Sequence, residues 1–297
     1  MKKNLTGKEV YTALAGIYQQ LYLKPSEDGR EEYADIVRCG EDAAEKDLSH
    51  FIMNDSDRLE YLDTPAGEVC CVTLYERRDF ETFLQIMGNK CKAVQIPATQ
   101  GASILDGVIN WTRIYDHRDE FIRSEKEKGN SDLDWDAEFT RFTADKRNYL
   151  DALIVLSVGP YSAIPAVKTG VSEDEWIHLS DTIRKYHECT HFICRRLYRE
   201  KIDAVWDELV ADAVGIYAAF GHFDRGMEEL FLGISNGRYT GGRLENYVKE
   251  DELGELSSRI PGILDAFNDI MEEMKGAEPY EIAVALEEKK EGLWRAG

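Results

Sequence analysis

From Ser172 to Phe220 the chain carries two long helical patterns joined by a short charged turn, and no proline interrupts either. No other stretch constrains the fold as strongly, because helices of this length are stable only when their apolar faces are covered. Ser172 followed by Glu175 has the spacing of a capping box at the start of the first pattern. From there no glycine or proline occurs until well past Glu200. Trp176, Leu179, Ile183, His187, Thr190, Cys194 and Leu197 recur at steps of three and four, so they form one face. His191 lies one turn beyond His187 on that face, which sets the two imidazoles about 6 Å apart at Cβ and turns both inward. The run His187-Glu188-Cys189-Thr190-His191 is an H-E-x-x-H. Glu188 is rotated about 100° from His187, beside any ion the pair holds. That position suits a carboxylate that takes a proton from water at the metal without being a main ligand.

The second pattern supplies what the first lacks. Between Leu209 and Phe220, Asp212 is the one charged residue in an otherwise apolar or small run. A helix hydrophobic nearly all round is buried, and a buried carboxylate needs a partner. Glu208 and Asp212 are four apart and share a face that Gly215 and Ala219 continue, small residues that admit a second helix closely. Glu208 is therefore expected to complete a His-His-Glu site. Asp212 is expected to accept the distal ring N–H of a ligand histidine, His187 first. Glu175-x-x-His178 and Glu188-x-x-His191 imitate the paired motifs of di-iron bundles, but they stand on one helix about 20 Å apart along its axis and cannot share a centre.

HECTH followed downstream by Glu208-Leu-Val-Ala-Asp212 resembles the glutamate-type zincin metallopeptidases, the gluzincins, whose pattern is H-E-x-x-H and then E-x-x-x-D. The resemblance covers about fifty residues. It implies that His187, His191 and Glu208 are Zn2+ ligands, Glu188 the general base and Asp212 the partner of a ligand histidine. The interval between His191 and Glu208 is shorter than in the thermolysin-like members, and a tight turn from Arg199 to Asp203 is needed to bring Glu208 back. Enzymes of this kind also need a proton donor at the attacked carbonyl. Tyr239 and Arg243, with Tyr247 and His222, are the polar candidates in and around the glycine-rich loop Asn236–Arg243, and the sequence does not choose among them.

A length of 297 residues and 43% hydrophobic content describe a globular chain of one large domain or two lobes. The formal charge of −21 argues against a nucleic-acid partner, since phosphate binding requires clustered lysine and arginine. No apolar run is long enough to span a bilayer, and Met1-Lys2-Lys3 leads into a polar, helix-capping Thr6-x-x-Glu9 rather than an export signal. The six cysteines form no C-x-x-C pair, as in proteins of a reducing compartment, and Cys189 is read as packing.

Further elements follow from local pattern. Residues 7–22 and a stretch around Glu41–Arg58 read as helices, and Glu68–Tyr75 as a strand. Phe80–Met87 reads as a helix stopped by Gly88, Lys92–Ile96 as a strand, and Ala98–Asn110 as an extended loop. Trp111–Arg123 and Asp136–Asn148 read as helices, and the most apolar strand spans Leu150–Val158. That strand is either the substrate-binding edge strand that the resemblance implies, or a central buried strand.

The expected fold is α+β and zincin-like, with a mixed N-terminal lobe (1–199) holding a small sheet and a mainly helical lobe (200–297). The expected function is a cytoplasmic zinc metallopeptidase acting on a peptide or protein substrate, with no membrane partner and an oligomeric state left open. Two readings stand beside it. One is a zinc-binding sensor or scaffold without catalysis. The other is a metal-free interaction protein, in which Asp212 would pair with Arg or Lys instead of imidazole.

Overall fold

The computed structural model of the protein describes residues 4–199 and 203–296. It is an α+β structure of two units, each with its own core. One comprises Met1–Tyr61 with Val69–Ser157, the other Leu62–Glu68 with Val158–Gly297. The division after Ser157, rather than after residue 199, corrects the expected lobes. Trp176 and Ile183 of the first long helix belong to the same apolar cluster as Trp206, Val210 and Val214 of the second, so the two helices cannot be assigned to different lobes.

The first unit contains β1 (Leu5–Thr6), α1 (Lys8–Ile17), α2 (Glu32–Ala34), the start of β2 (Arg58–Thr64), most of β3 (Gly67–Leu74), α3 (Arg77–Met87), β4 (Ala102–Ile109), α4 (Trp111–Glu127), α5 (Trp135–Thr143) and β5 (Leu150–Ser157). The sheet order is β1-β2-β3-β5-β4. β3 and β5 run parallel, with Cys71 opposite Ile154, while β4 is antiparallel to β5 and slips register between Asp106 and Val108. Val10 and Leu14 of α1 and Phe80, Phe83 and Leu84 of α3 pack with Leu153 and Val155 of β5.

Several expectations are corrected here. The stretch 41–58 is not a helix, because its polar side chains capture the backbone instead. Asp47 accepts the Ser49 N–H and Asn54 the Ser56 N–H, while buried Asp79 accepts those of Ile52 and Met53 at 2.9 and 2.8 Å. Residues 92–96 make a single bridge, Lys92 to Ser26, and no strand. The expected loop 98–110 contains β4. Of the two readings of the Leu150–Val158 strand, the central one holds: β5 is flanked by β3 and β4 and offers no free edge to a peptide. Thr6 lies in β1, and Gly7 precedes α1 without a side-chain cap.

The second unit contains α6 (Glu173–Leu197), α7 (Ala204–Phe220), α8 (Arg225–Leu232), the short pair β6 (Ile234–Ser235) and β7 (Arg238–Tyr239), α9 (Leu253–Glu273) and α10 (Pro279–Ala296). Ser172 Oγ accepts the Glu175 N–H at the start of α6, and Asp203 Oδ1 accepts those of Val205 and Trp206 at the start of α7. The first helix ends at Leu197, and part of the turn expected from Arg199 to Asp203 lies outside the described residues. Gly215 lets α7 approach α6 closely: a Cβ there would fall 2.7 Å from the Ile183 carbonyl oxygen. Among the described residues no helix is long and apolar enough to cross a membrane, and none of the six cysteines forms a disulfide.

Candidate metal centre

The α6 stripe turns His187 and His191 into the interior, where they are 5% and 4% exposed. Their rings stand nearly perpendicular, with Nε2 of one 2.9 Å from Nε2 of the other. Glu208, in the second turn of α7, faces both. Its Oε1 lies 3.4 Å from His191 Nε2 and its Oε2 lies 3.6 Å from His187 Nε2. Among the described residues this is the one group of His, Cys, Asp and Glu placed to hold a metal, its ligand atoms all within 4.8 Å of one another.

The outer ring nitrogens are already engaged. His187 Nδ1 donates to Asp212 Oδ1 at 2.9 Å and His191 Nδ1 to Asp207 Oδ2 at 2.8 Å. Asp212 accepts from two further groups. The Tyr161 hydroxyl donates to Oδ1 at 2.6 Å, and Arg243 pairs with Oδ2 while its other terminal nitrogen donates to the Tyr161 oxygen at 3.0 Å. Burial raises the Asp212 carboxyl, but the Arg243 charge and the His187 hydrogen bond outweigh it and hold the group well below the usual carboxylate range. Asp212 is thus an ionised acceptor, and the shared proton belongs to the imidazole.

With each Nδ1 protonated, a neutral imidazole offers only a lone pair at Nε2. With both rings neutral, two such lone pairs and the Glu208 carboxylate face one point, which a proton on His191 or a metal ion would fill. Glu208 Oε2 is buried and has no hydrogen-bond partner. Burial opposes charge on Glu208, yet the His191 hydrogen bond and the neighbouring imidazoles bring it down to about 2. Burial likewise opposes a cationic His191, yet Asp207 and Glu208 push it up to about 10. The cluster therefore draws a positive charge to its centre. Zinc bonds of about 2.0–2.1 Å at tetrahedral angles separate ligand atoms by about 3.3–3.4 Å. The observed separations of 2.9, 3.4 and 3.6 Å bracket that value, so the donor set fits the ion.

Glu188 is only partly buried, does not belong to the converging group, and makes no hydrogen bond among the described residues. The four downstream polar candidates separate. Tyr239 donates to Glu245 Oε2 at 2.7 Å and binds the Gly242 backbone, closing its own loop. His222 is exposed and meets the Phe220 carbonyl. Arg243 is committed to Asp212 and the Tyr161 oxygen. Burial and then the Glu208 and Asp212 charges push the Tyr247 phenol up, which places it beside the cluster.

Three participants were not read from the sequence. Asp207 resembles an ordinary first-turn acid. Tyr161 arrives from a turn in which Ser162 and Ala163 take positive φ values of 51° and 55°, and no local pattern announces it. Glu228 of α8 is fully buried, with neither carboxyl oxygen hydrogen-bonded. Asp212 bears on both readings weighed above, since it pairs with an arginine and with an imidazole at once.

A profile for a family of unknown function, DUF7005, matches residues 2–274. No curated protein and no solved structure matches the chain.

Proposed function

The chain belongs to DUF7005, a family of unknown function, and from that premise we propose that it is a zinc-dependent hydrolase, a zincin-like peptidase of the cytoplasm acting on peptide or protein substrates. One observation carries this reading. The H-E-x-x-H histidines and Glu208 present three lone-pair atoms to one point, and both outer ring nitrogens are already held by carboxylates. A third acceptor placed against a core histidine pair is unfavourable without a positive charge between them, either a proton on His191 or a metal ion.

His187, His191 and Glu208 would hold the ion. When bound, zinc supplies Lewis acidity toward a scissile carbonyl and lowers the pKa of a water toward neutrality. The protein does the rest. Asp212 and Asp207 fix the tautomer and direction of the two imidazoles. Arg243 and Tyr161 keep Asp212 ionised and immobile. Glu188, one step around α6 from His187 and free of hydrogen bonds, accepts a proton from the attacking water and returns it to the leaving amine.

The test uses the metal content and activity of purified full-length protein. Wild type should contain about one zinc per chain and cleave members of a peptide library in a chelator-sensitive way. Glu188→Gln should keep the zinc and lose at least about a hundredfold in turnover. Loss of zinc from that variant would overturn the role given to Glu188. A zinc-loaded wild type inert toward the whole library would replace the peptidase by a zinc-binding scaffold, and a wild type that takes up no zinc would remove both readings.

A further inference from the structure

α10 supplies no ligand to the candidate metal centre, yet it brings a buried carboxylate to the start of α7. Ile282, Ala283 and Leu286 of α10 pack in the same apolar cluster as Trp206 and Val210 of α7. Glu287 continues that face and is only 5% exposed. A carboxyl group in such a place is unfavourable unless it is bonded. Its Oε1 accepts the Trp206 Nε1–H at 2.9 Å, the one hydrogen bond an indole can donate. Trp206 is fully buried, and its ring meets Phe267 of α9 and Trp294 of α10 edge-on at 5.2 and 5.8 Å. The indole is therefore held from two helices, one residue before Asp207 and two before Glu208.

A second contact runs beside the first. Cys194, three residues beyond His191 on α6, is 2% exposed. The carboxylates of Glu287 and Asp207 both face it, and together with burial they push the thiol up, so it keeps its hydrogen. Asp207 in turn holds His191 Nδ1 at 2.8 Å.

The two imidazoles are thus supported unequally. Asp212, which holds His187, is itself fixed by the Tyr161 hydroxyl and by Arg243. Asp207 has no such donors: its Oδ1 is buried without a hydrogen-bond partner among the described residues. Its direction rests on the groups packed around it, and Trp206 and Cys194 connect those to α10.

We propose that Glu287 is a positioning residue of the centre, a role that presupposes the metal reading of His187, His191 and Glu208. By holding Trp206 and closing on Cys194 it fixes Asp207, and through Asp207 it fixes His191. Glu287 does for one ligand histidine what Arg243 and Tyr161 do for the other.

Zinc affinity of the full chain, measured by chelator competition, and the visible spectrum of the Co2+-loaded protein test this role. Glu287→Gln keeps an oxygen for the Trp206 N–H and should match wild type in both. Glu287→Leu keeps the bulk and removes the acceptor. It should weaken zinc by about tenfold, the low end of the loss seen when a ligand histidine's support is disturbed, and shift the Co2+ spectrum. Combined with Asp207→Ala it should cost nothing further, because the group it acts through is gone, while its full effect should persist beside Asp212→Asn. Cys194→Ala leaves the Trp206 bond intact and should show the same pattern at smaller amplitude, whether or not Glu287→Leu folds. Ile282→Val loosens α10 without touching Glu287; it should lower the melting temperature and leave zinc affinity and spectrum unchanged. A wild type that takes up no zinc removes the metal reading and this role with it. A zinc-binding wild type whose affinity is unmoved by Glu287→Leu and Cys194→Ala, a loss undiminished in the Asp207→Ala background, or an equal loss in Ile282→Val overturns this role alone.

Discussion

At the scale of single residues, the candidate centre is defined by who holds which proton. Asp212 and Asp207 each fix one imidazole, so neutralising either should loosen zinc without abolishing it. Asp212→Asn and Asp207→Asn are expected to weaken zinc affinity by about 10–100-fold, measured by competition with a chromophoric chelator; wild-type affinity in Asp212→Asn would assign that carboxylate to Arg243 alone. Glu228 gives a second expectation. Burial, and then the Asp212 charge, raise its carboxyl well above the usual range. The folded state therefore keeps a proton that the unfolded chain releases near pH 4.5. Stability from this group is complete below that pH and declines as pH rises toward the folded value. Glu228→Gln preserves the shape of the protonated acid and removes the titration. It should raise the melting temperature at pH 8 by roughly 2–4 °C, the shift that about 1 kcal/mol produces in a domain of this size, and leave it unchanged at pH 4. A lower melting temperature at pH 8 would show that Glu228 is ionised and bonded there.

At the scale of elements, the centre depends on how closely α7 lies on α6. Gly215→Ala would place a methyl group 2.7 Å from the Ile183 carbonyl oxygen, one turn before His187. The helices must separate, and overpacking of this kind costs about 1–3 kcal/mol. Zinc affinity should fall along with stability, although residue 215 is no ligand; chemical denaturation and metal titration of the same variant check both. The same two helices explain what could be read in advance. Their apolar steps, the Ser172 cap and the isolated Asp212 are local signals, and His187, His191 and Glu208 follow from them by helix geometry. Signals of that kind were missing elsewhere. β4 contains Asp106-Gly107 and becomes a strand only by pairing with β5, far away in sequence. The 41–58 stretch has helical spacing, but Asp79, more than twenty residues on, takes the backbone donors of Ile52 and Met53. Tyr161 and Asp207 enter the centre through tertiary contacts that no window of sequence contains.

At the scale of the whole molecule, the two units have separate cores, so a ligand of one need not stabilise the other. The proposed zinc ligands all belong to the second unit, and their Nε2 and carboxylate lone pairs converge only when α6 and α7 are packed together. In the unfolded chain those groups are scattered, so the ion binds the folded form in preference. A ligand at 100 times its dissociation constant then adds about 2.7 kcal/mol. Zinc should therefore slow hydrogen exchange of the α6 and α7 amides around His187, His191 and Glu208 by up to roughly a hundredfold, provided they exchange through opening of this helix pair. Amides of β3 and β5, whose cores contain none of the ligands, are the reference in the same experiment. Chelator should reverse the protection. Equal protection of the β3 and β5 amides would mean that the ion stabilises a larger cooperative unit than this helix pair. No protection of α6 and α7 would mean that the three lone pairs do not hold zinc, because an ion bound at their point of convergence must oppose the separation of the helices that bring them there.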